Sequence, residues 1–399
     1  MRSRLPLTAA SFAAMFFLGV MITVVGAAAR NIDLSPYQIG LLMASQNLGF
    51  LISVVAAGTL SDSLAKTRIL FVGCLILSAS LLAFYATPNF LLNLAVMFAI
   101  GVGIGCFEGV TDALLFQVHP RNPGLFVNLN HFFVTFGSLS ITVYLIFLQM
   151  AWRRSMVQSA AAILALGIVL LFLRADAGTS GGGAGRNDGT GDGDGGIRAT
   201  PLGHRLGIIR RQRLFGWLFL GTVCILGLGV GNVSMLTTHL MESRGFGQVT
   251  SKIGLVVYLS GVGTGRVLVG FFTSRRNIHD LLLLLFGLCA VSFSVLYFAP
   301  LGLLLYPVAF ITGMTFSALL PSMFAMVGHL FRDIAGTALG VVKMGIPMGG
   351  IVFPAAFSVV ARYGSFRLSL LLFPVFALTG LASMIVIRSR VLGRLQRDD

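Results

Sequence analysis

The chain has 399 residues and a net charge of +15, with 56% hydrophobic and only 10% charged residues and a mean hydropathy of +0.92. A soluble domain carries about 25% charged and 45–50% apolar residues. So much apolar surface excludes an aqueous globule and makes lipid the expected solvent. The 28 basic residues, 25 of them arginine, are scattered over short connections and both ends, which fits membrane orientation and not a nucleic-acid-binding face.

The first apolar run, "AASFAAMFFLGVMITVVGAAA", is long enough to span a bilayer. It runs on to full span length, longer than a signal peptide's apolar region, so it is expected to stay as a span. Further runs complete twelve predicted spans, at roughly 9–29, 37–60, 69–87, 90–117, 125–150, 155–174, 214–238, 251–272, 280–299, 302–327, 337–360 and 366–388. The third and fourth are split by "TPN" and the ninth and tenth by "APLG", where proline and turn residues break the helix. Between the sixth and seventh lies "ADAGTSGGGAGRNDGTGDGDGGIRATPLGHRLGIIRRQRLF". Its glycine-rich part cannot build a core and reads as a flexible linker, and "IIRRQR" reads as an interfacial basic helix. The expected division is therefore 1–175, a first six-helix bundle; 176–213, the linker and basic segment; and 214–399, a second six-helix bundle.

With the N-terminus inside, nineteen basic residues fall in inner segments and seven in outer ones: Arg30, Arg153, Arg154, Arg244, Lys252, Arg362 and Arg367. That asymmetry puts both termini in the cytoplasm of a cell-membrane protein. The four cysteines all lie in apolar runs and have neither disulfide-framework nor metal-site spacing. No nucleophile–base pair suggests an enzyme, and no cofactor or metal is expected. Glycine pairs fail as a nucleotide loop because no strand precedes them. Gly101, Gly103, Gly105, Gly345, Gly349 and Gly350 read as close-packing and bending positions.

The halves show a weak internal repeat. The second span ends "GTLSDSLAKTR" and the eighth "GFFTSRRN"; the fifth and eleventh each run from glycine to an aromatic and arginine about 15 residues on. Repeated halves of six spans suit a carrier in which two bundles rock about a midplane site.

On these residues the chain resembles the major facilitator superfamily over nearly its whole length. That family's first cytoplasmic turn carries G-x-x-x-D-[RK]-x-G-[RK]-[RK]. Gly58 and Asp62 match it and Lys66 takes one basic position, while Ser63 and Ala65 depart from it and the second basic residue is displaced to Arg68. The second-half copy keeps Gly270, Arg275 and Arg276, with Ser274 where the acid would be. The resemblance implies a gate at these positions. Arg266, in "GTGRVLVG", matches a family G-R pattern near the inner gate. "GIGCFEGVTDALL" and "NLNHFFVTFG" resemble the fucose/glucose-permease-like branch, an N-x-x-H-x-x-x-x-x-G opening of the fifth span included. In that branch the fourth-span acid couples protons, a role that falls here on Glu108. Asp112 stands where asparagine is common, and the first span has no acid.

Glu108, Asp112, His131, Arg266 and Lys343 lie well inside spans. Glu108 falls about four to five residues cytoplasmic of its helix midpoint, ~7 Å at 1.5 Å per residue. Arg266, Lys343 and His131 come out at similar depth. Charges there cost at least ~2.5–3.5 kcal/mol each unless they face a partner or water. Two readings stay open: Glu108 as a proton carrier, or a permanent Glu108–Arg266 or Glu108–Lys343 pair. Asp112, one turn nearer the cytoplasm, either relays protons or anchors the turn near His119 and Arg121. His131 has a useful pKa range or is a packing residue. Lys343 can bind an anion, and Asn232 is the expected substrate hydrogen-bond donor.

The expected fold is all-α, twelve transmembrane helices in two pseudo-symmetric bundles. The expected function is a monomeric secondary transporter of a small sugar-like solute, with proton and lipid bilayer as partners and Glu108, His131 and Asp112 coupling. The alternatives are an organic-anion or drug exporter using Lys343 and Arg266, or a non-transporting membrane sensor.

Overall fold

A computed structural model describes residues 4–61, 64–119, 123–173, 213–272, 278–331 and 335–398. Among them the chain is helical and has no strand. The helices are α1 (Arg4–Ala28), α2 (Pro36–Leu60), α3 (Lys66–Ala83), α4 (Phe90–Val118), α5 (Pro123–Phe147) and α6 (Trp152–Phe172). Then come α7 (Arg213–Glu242), α8 (Gln248–Phe272), α9 (Ile278–Phe298), α10 (Leu305–Ser317) and α11 (Leu319–Leu330). The last are α12 (Ala335–Lys343), α13 (Gly345–Tyr363), α14 (Phe366–Ser369) and α15 (Leu372–Asp398). Among the described residues, eleven helical stretches are long and apolar enough to cross a membrane, and the 25-residue α8 takes the eighth place in the order. The linker and "IIRRQR" before Arg213 lie outside the described residues.

Local sequence sets several starts. Ser35 caps α2 by accepting from the Gln38 N–H, Gln38 returns the bond to the cap, and Pro36 opens the helix. Asn89 caps α4 from the "TPN" turn by accepting from the Leu92 N–H.

The tenth, eleventh and twelfth crossings are each broken, at Ala318, Met344 and Leu370–Leu371. The expected runs 302–327, 337–360 and 366–388 contain these breaks without interruption in their apolar pattern. Each break lies about one turn ahead of a proline, Pro321, Pro347 or Pro374. Proline has no N–H and cannot close the bond to the carbonyl four residues back. For Pro347 that carbonyl belongs to Lys343, so the lysine ends α12 at an interrupted turn.

Helix pairing repeats along the chain. α1 packs on α5, α2 on α4 and α3 on α6; later α7 packs on α13, α8 on α10 and α9 on α15. The approaches are close because glycine lies in the seams, as expected for helices that pack without a hydrophobic drive in lipid. A Cβ on Gly137 would meet the Phe16 carbonyl of α1, one on Gly261 the Phe310 carbonyl of α10, and one on Gly349 the Val223 carbonyl of α7, each nearer than 2.5 Å.

Candidate functional site

The α4 seam decides where its acids go. Gly101, Gly105 and Gly109 put α4 against the α2 backbone: a Cβ would stand 2.7 Å from Ser53 Cβ at Gly105 and 2.8 Å from the Val54 carbonyl at Gly109, and would meet the Gln46 carbonyl at Gly101. Ser53 and Ser45 donate hydroxyl bonds from α2 to the Val102 and Leu94 carbonyls of α4, at 2.6 and 2.8 Å. A Cβ on Gly103 would stand 2.5 Å from Leu77 Cγ of α3. Four residues advance the helix about 40° beyond a full turn, so the seam with α2 drifts around α4. Glu108, one heptad past Gly101, is left beside that seam, facing α5.

There the structure gathers three of the expected residues. One ligand atom each from Glu108, Asp112 and His131 lies within 4.8 Å of the others, all three residues being half-buried. Asp112 Oδ2 is 3.3 Å from His131 Nε2, and Asp112 Oδ1 accepts from Asn130 Nδ2 at 3.1 Å. Asn130 also donates to Thr111 Oγ1 at 3.1 Å and is fully buried. Asp112 thus bonds Asn130 and His131 of α5, and not His119. His119 instead lies 2.7 Å from Thr8 Oγ1 and stacks on Phe126. Just past α4, burial and the nearby Arg4 cation lower the His119 pKa.

Arg266 reaches across from α8. Its Nη1 donates to the His131 carbonyl at 2.9 Å and to Thr135 Oγ1 at 2.5 Å. Lys343 is exposed, with Nζ 5.7 Å from the centre of the Phe324 ring. Neither forms an ion pair with Glu108 among the described residues. A permanent Glu108–Arg266 or Glu108–Lys343 pair is therefore not present in this conformation.

Asn232 is elsewhere. It is fully buried, and its Oδ1 accepts from Tyr297 Oη at 2.6 Å while Nδ2 has no partner. Of the expected gate, Gly58 lies beside Gly109, Lys66 donates to the Ser61 carbonyl at 3.2 Å and Arg68 is exposed. Asp62 and Arg275 lie outside the described residues, and of Gly270 only its place in α8 is described.

The remaining hydrogen bonds and ion pairs between α1–α6 and α7–α15 cluster at the face away from the chain ends. Arg30 pairs with Glu242 at 3.0 Å, Asn31 Nδ2 donates to Gln248 Oε1 at 2.9 Å, and Lys252, 1% exposed, donates to Asn31 Oδ1 at 3.1 Å. Thr237 Oγ1 donates to the Gly26 carbonyl at 2.9 Å, Ser358 Oγ to the Tyr37 carbonyl at 2.6 Å, and Arg362 Nη1 to Tyr37 Oη at 2.8 Å. Among the described residues, only the Arg266 bonds join the sets outside this far face. The helix sets are thus latched there, with the acidic cluster on the side of the chain ends.

Sequence reasoning missed Asn130 and Thr135. The N-x-x-H pattern drew attention to Asn128, two residues before the asparagine that binds Asp112. Thr135 was legible as the residue one helical turn after His131, on the same face.

Comparisons with known proteins agree with this architecture. A family model described as the Major Facilitator Superfamily matches residues 7–306. No curated protein matches the chain. Among solved structures, a variant of the nucleoside transporter NupG superposes with a TM-score of 0.79 at 14% identity, covering 96% of this chain and 99% of that one. A bacterial homologue of the human lysosomal transporter Spinster, inward-facing and unoccupied, gives 0.74 at 15%, covering 97% and 96%. A variant of the E. coli fucose:proton symporter FucP gives 0.62 at 18%, covering 96% and 99%.

Proposed function

The chain belongs to the major facilitator superfamily, and from that premise we propose that it moves a small polar, sugar-like solute across the cytoplasmic membrane by alternating access, coupled to protons through Glu108. It is a multi-pass membrane carrier and not an enzyme. The observation that carries the coupling is Glu108 itself: a carboxyl at membrane depth, without an ion pair, within 4.8 Å of a second carboxylate and an imidazole. Such a group is stable in apolar surroundings when protonated and becomes an anion at a cost that water or a cation offsets. A carboxyl whose surroundings change as the helix sets rock would take up a proton on one side and release it on the other. His131 and Asp112, joined at 3.3 Å, are the relay from Glu108 toward the chain ends. Arg266 ties the start of α5 to α8 and holds that relay in register.

The basic-residue asymmetry supports both termini in the cytoplasm, which makes the latched face the outer one. In this reading 1–175 and 214–399 rock as two bodies joined by 176–213, the carrier acts as a monomer, and Gly58, Asp62, Lys66, Arg68, Gly270 and Arg275 form the opposing inner gate. Asn232, buried with a free Nδ2, is a substrate contact that becomes available when the outer face opens.

Each exposed latch contact contributes about 0–1 kcal/mol. Removing Arg362 and Glu242 together (Arg362→Ala with Glu242→Gln) is expected to raise outward-open occupancy up to about thirtyfold. A cysteine at Ser234, which is 1% exposed here while the native cysteines are buried, reports this by its labelling rate with an impermeant thiol reagent. An unchanged rate removes the Arg362 and Glu242 contacts from the latch.

A thermal-shift panel of sugars, carboxylates and cationic drugs on purified protein identifies the substrate. A second reading, an organic-anion carrier, is favoured by exposed Lys343 near the cluster. It requires that carboxylates stabilise the wild type and that Lys343→Ala abolishes the shift. Stabilisation by neutral sugars, unchanged in Lys343→Ala, excludes it.

A further inference from the structure

We propose that Glu108, Asp112 and His131 also form a binding site for a divalent transition-metal cation of the zinc class, reached from the side of the chain ends. The site shares Glu108 with the proton reading and does not depend on it.

The donor set is two carboxylate oxygens and one imidazole nitrogen, a combination that suits zinc and its first-row neighbours. Calcium and magnesium are hard cations that take oxygen ligands, and the imidazole disfavours them. Glu108 and Asp112 are four residues apart on α4 and so share a face, and His131 enters from α5. Zinc–ligand bonds of about 2.0–2.2 Å in a tetrahedron put neighbouring ligand atoms about 3.3–3.6 Å apart. The one directly bonded pair, Asp112 Oδ2 and His131 Nε2, is already 3.3 Å apart. All three donors fall within 4.8 Å, so Glu108 closes the set by a side-chain shift of ~1 Å, which no hydrogen bond of its own opposes.

The surrounding contacts orient the donors, as outer partners do in metal sites. Asn130, fully buried, holds Asp112 Oδ1 and leaves Oδ2 to the site. Arg266 holds the His131 carbonyl and thereby fixes that part of α5. Three protein ligands leave a further position open for water or a solute group, the arrangement of an exchangeable site rather than a closed structural one. Two carboxylates balance the double charge of the metal.

Arg266 and Lys343 are the cations facing the cluster, and both repel a metal. Arg266 directs its Nη1 to the His131 carbonyl and Thr135, and Lys343 stands over the Phe324 ring. Their repulsion selects against weakly coordinating ions and for a metal that forms strong bonds to imidazole.

The test is zinc titration of untagged full-length protein in detergent, against a chelating fluorophore, with zinc-edge X-ray absorption on the wild type. Expected are one zinc per chain, a shell of one imidazole with carboxylate oxygens, and a loss of affinity of about tenfold or more in both Asp112→Asn and His131→Gln. His119→Gln should bind as the wild type does, and excess calcium or magnesium should not displace the metal. Absence of stoichiometric zinc, a shell with sulfur or several imidazoles, or unchanged affinity in both variants overturns the proposal. The absorption spectrum needs no variant, so it decides the matter even if a substitution impairs folding. Proton-driven uptake without zinc binding defeats the metal site alone; zinc binding with gradient-independent uptake defeats the proton reading alone.

Discussion

Glu108→Gln is expected to abolish proton-driven accumulation in proteoliposomes, a loss of tenfold or more, while substrate counterflow persists. Glutamine keeps the length and hydrogen-bonding capacity of the protonated acid but cannot ionise. It mimics one protonation state permanently. Exchange of solute for solute needs only the protonated carrier to open alternately to each side, so it survives. Net accumulation needs the proton to leave, so it fails. Asp112→Asn should be milder. Asp112 Oδ1 already accepts from Asn130, and an asparagine oxygen can still accept there. Accumulation unimpaired in Glu108→Gln would remove the carboxyl from the coupling path. Loss of both activities, with folding intact, would make it a substrate or packing residue instead.

The second large effect is structural. Gly101→Val should destabilise the protein by about 3 kcal/mol or more, since the new carbons meet backbone that cannot be moved by changing a rotamer. The Cβ alone would overlap the Gln46 carbonyl and approach the Phe50 N–H to 2.8 Å. α4 would then separate from α2 and carry Glu108 and Asp112 with it. Gly287→Ala in α9 is the matched control: nothing lies within 4 Å of its Cβ, and alanine in a helix is worth roughly 0.5–1 kcal/mol over glycine. The two substitutions should therefore shift thermal unfolding in opposite directions. A Gly101→Val protein as stable as the wild type would show that α2 and α4 do not meet as described.

How much of this could be read from the sequence depends on the range of the interaction. Spanning helices are a local property of apolar runs, and the order of elements follows the expected spans. The close-packing role of Gly101, Gly103, Gly105, Gly345 and Gly349 was legible because few other reasons place so many glycines in lipid helices. The broken crossings were not, because apolar composition continues unchanged through Ala318 and Met344. The signal was the missing N–H of Pro321 and Pro347, each inside an otherwise uninterrupted run.

At the site, equal depth in the membrane identified Glu108, His131, Arg266 and Lys343 as a layer. Depth carries no azimuth, however. It could not say that Asp112 turns to Asn130 and His131, that Arg266 bonds a backbone carbonyl, or that Glu108 is without an ion pair. Asn232 illustrates the same limit from the other side. Its polarity on a cavity-type helix was legible, but its bond to Tyr297, 65 residues away, was not.

The most direct measurement of the central claim is solute accumulation by wild-type protein in proteoliposomes under an imposed proton gradient, with the solute taken from the thermal-shift panel. The account predicts uptake against a concentration gradient when protons run inward, export when the gradient is reversed, and collapse to simple equilibration with a protonophore. Accumulation that ignores the size and direction of the proton gradient would contradict it.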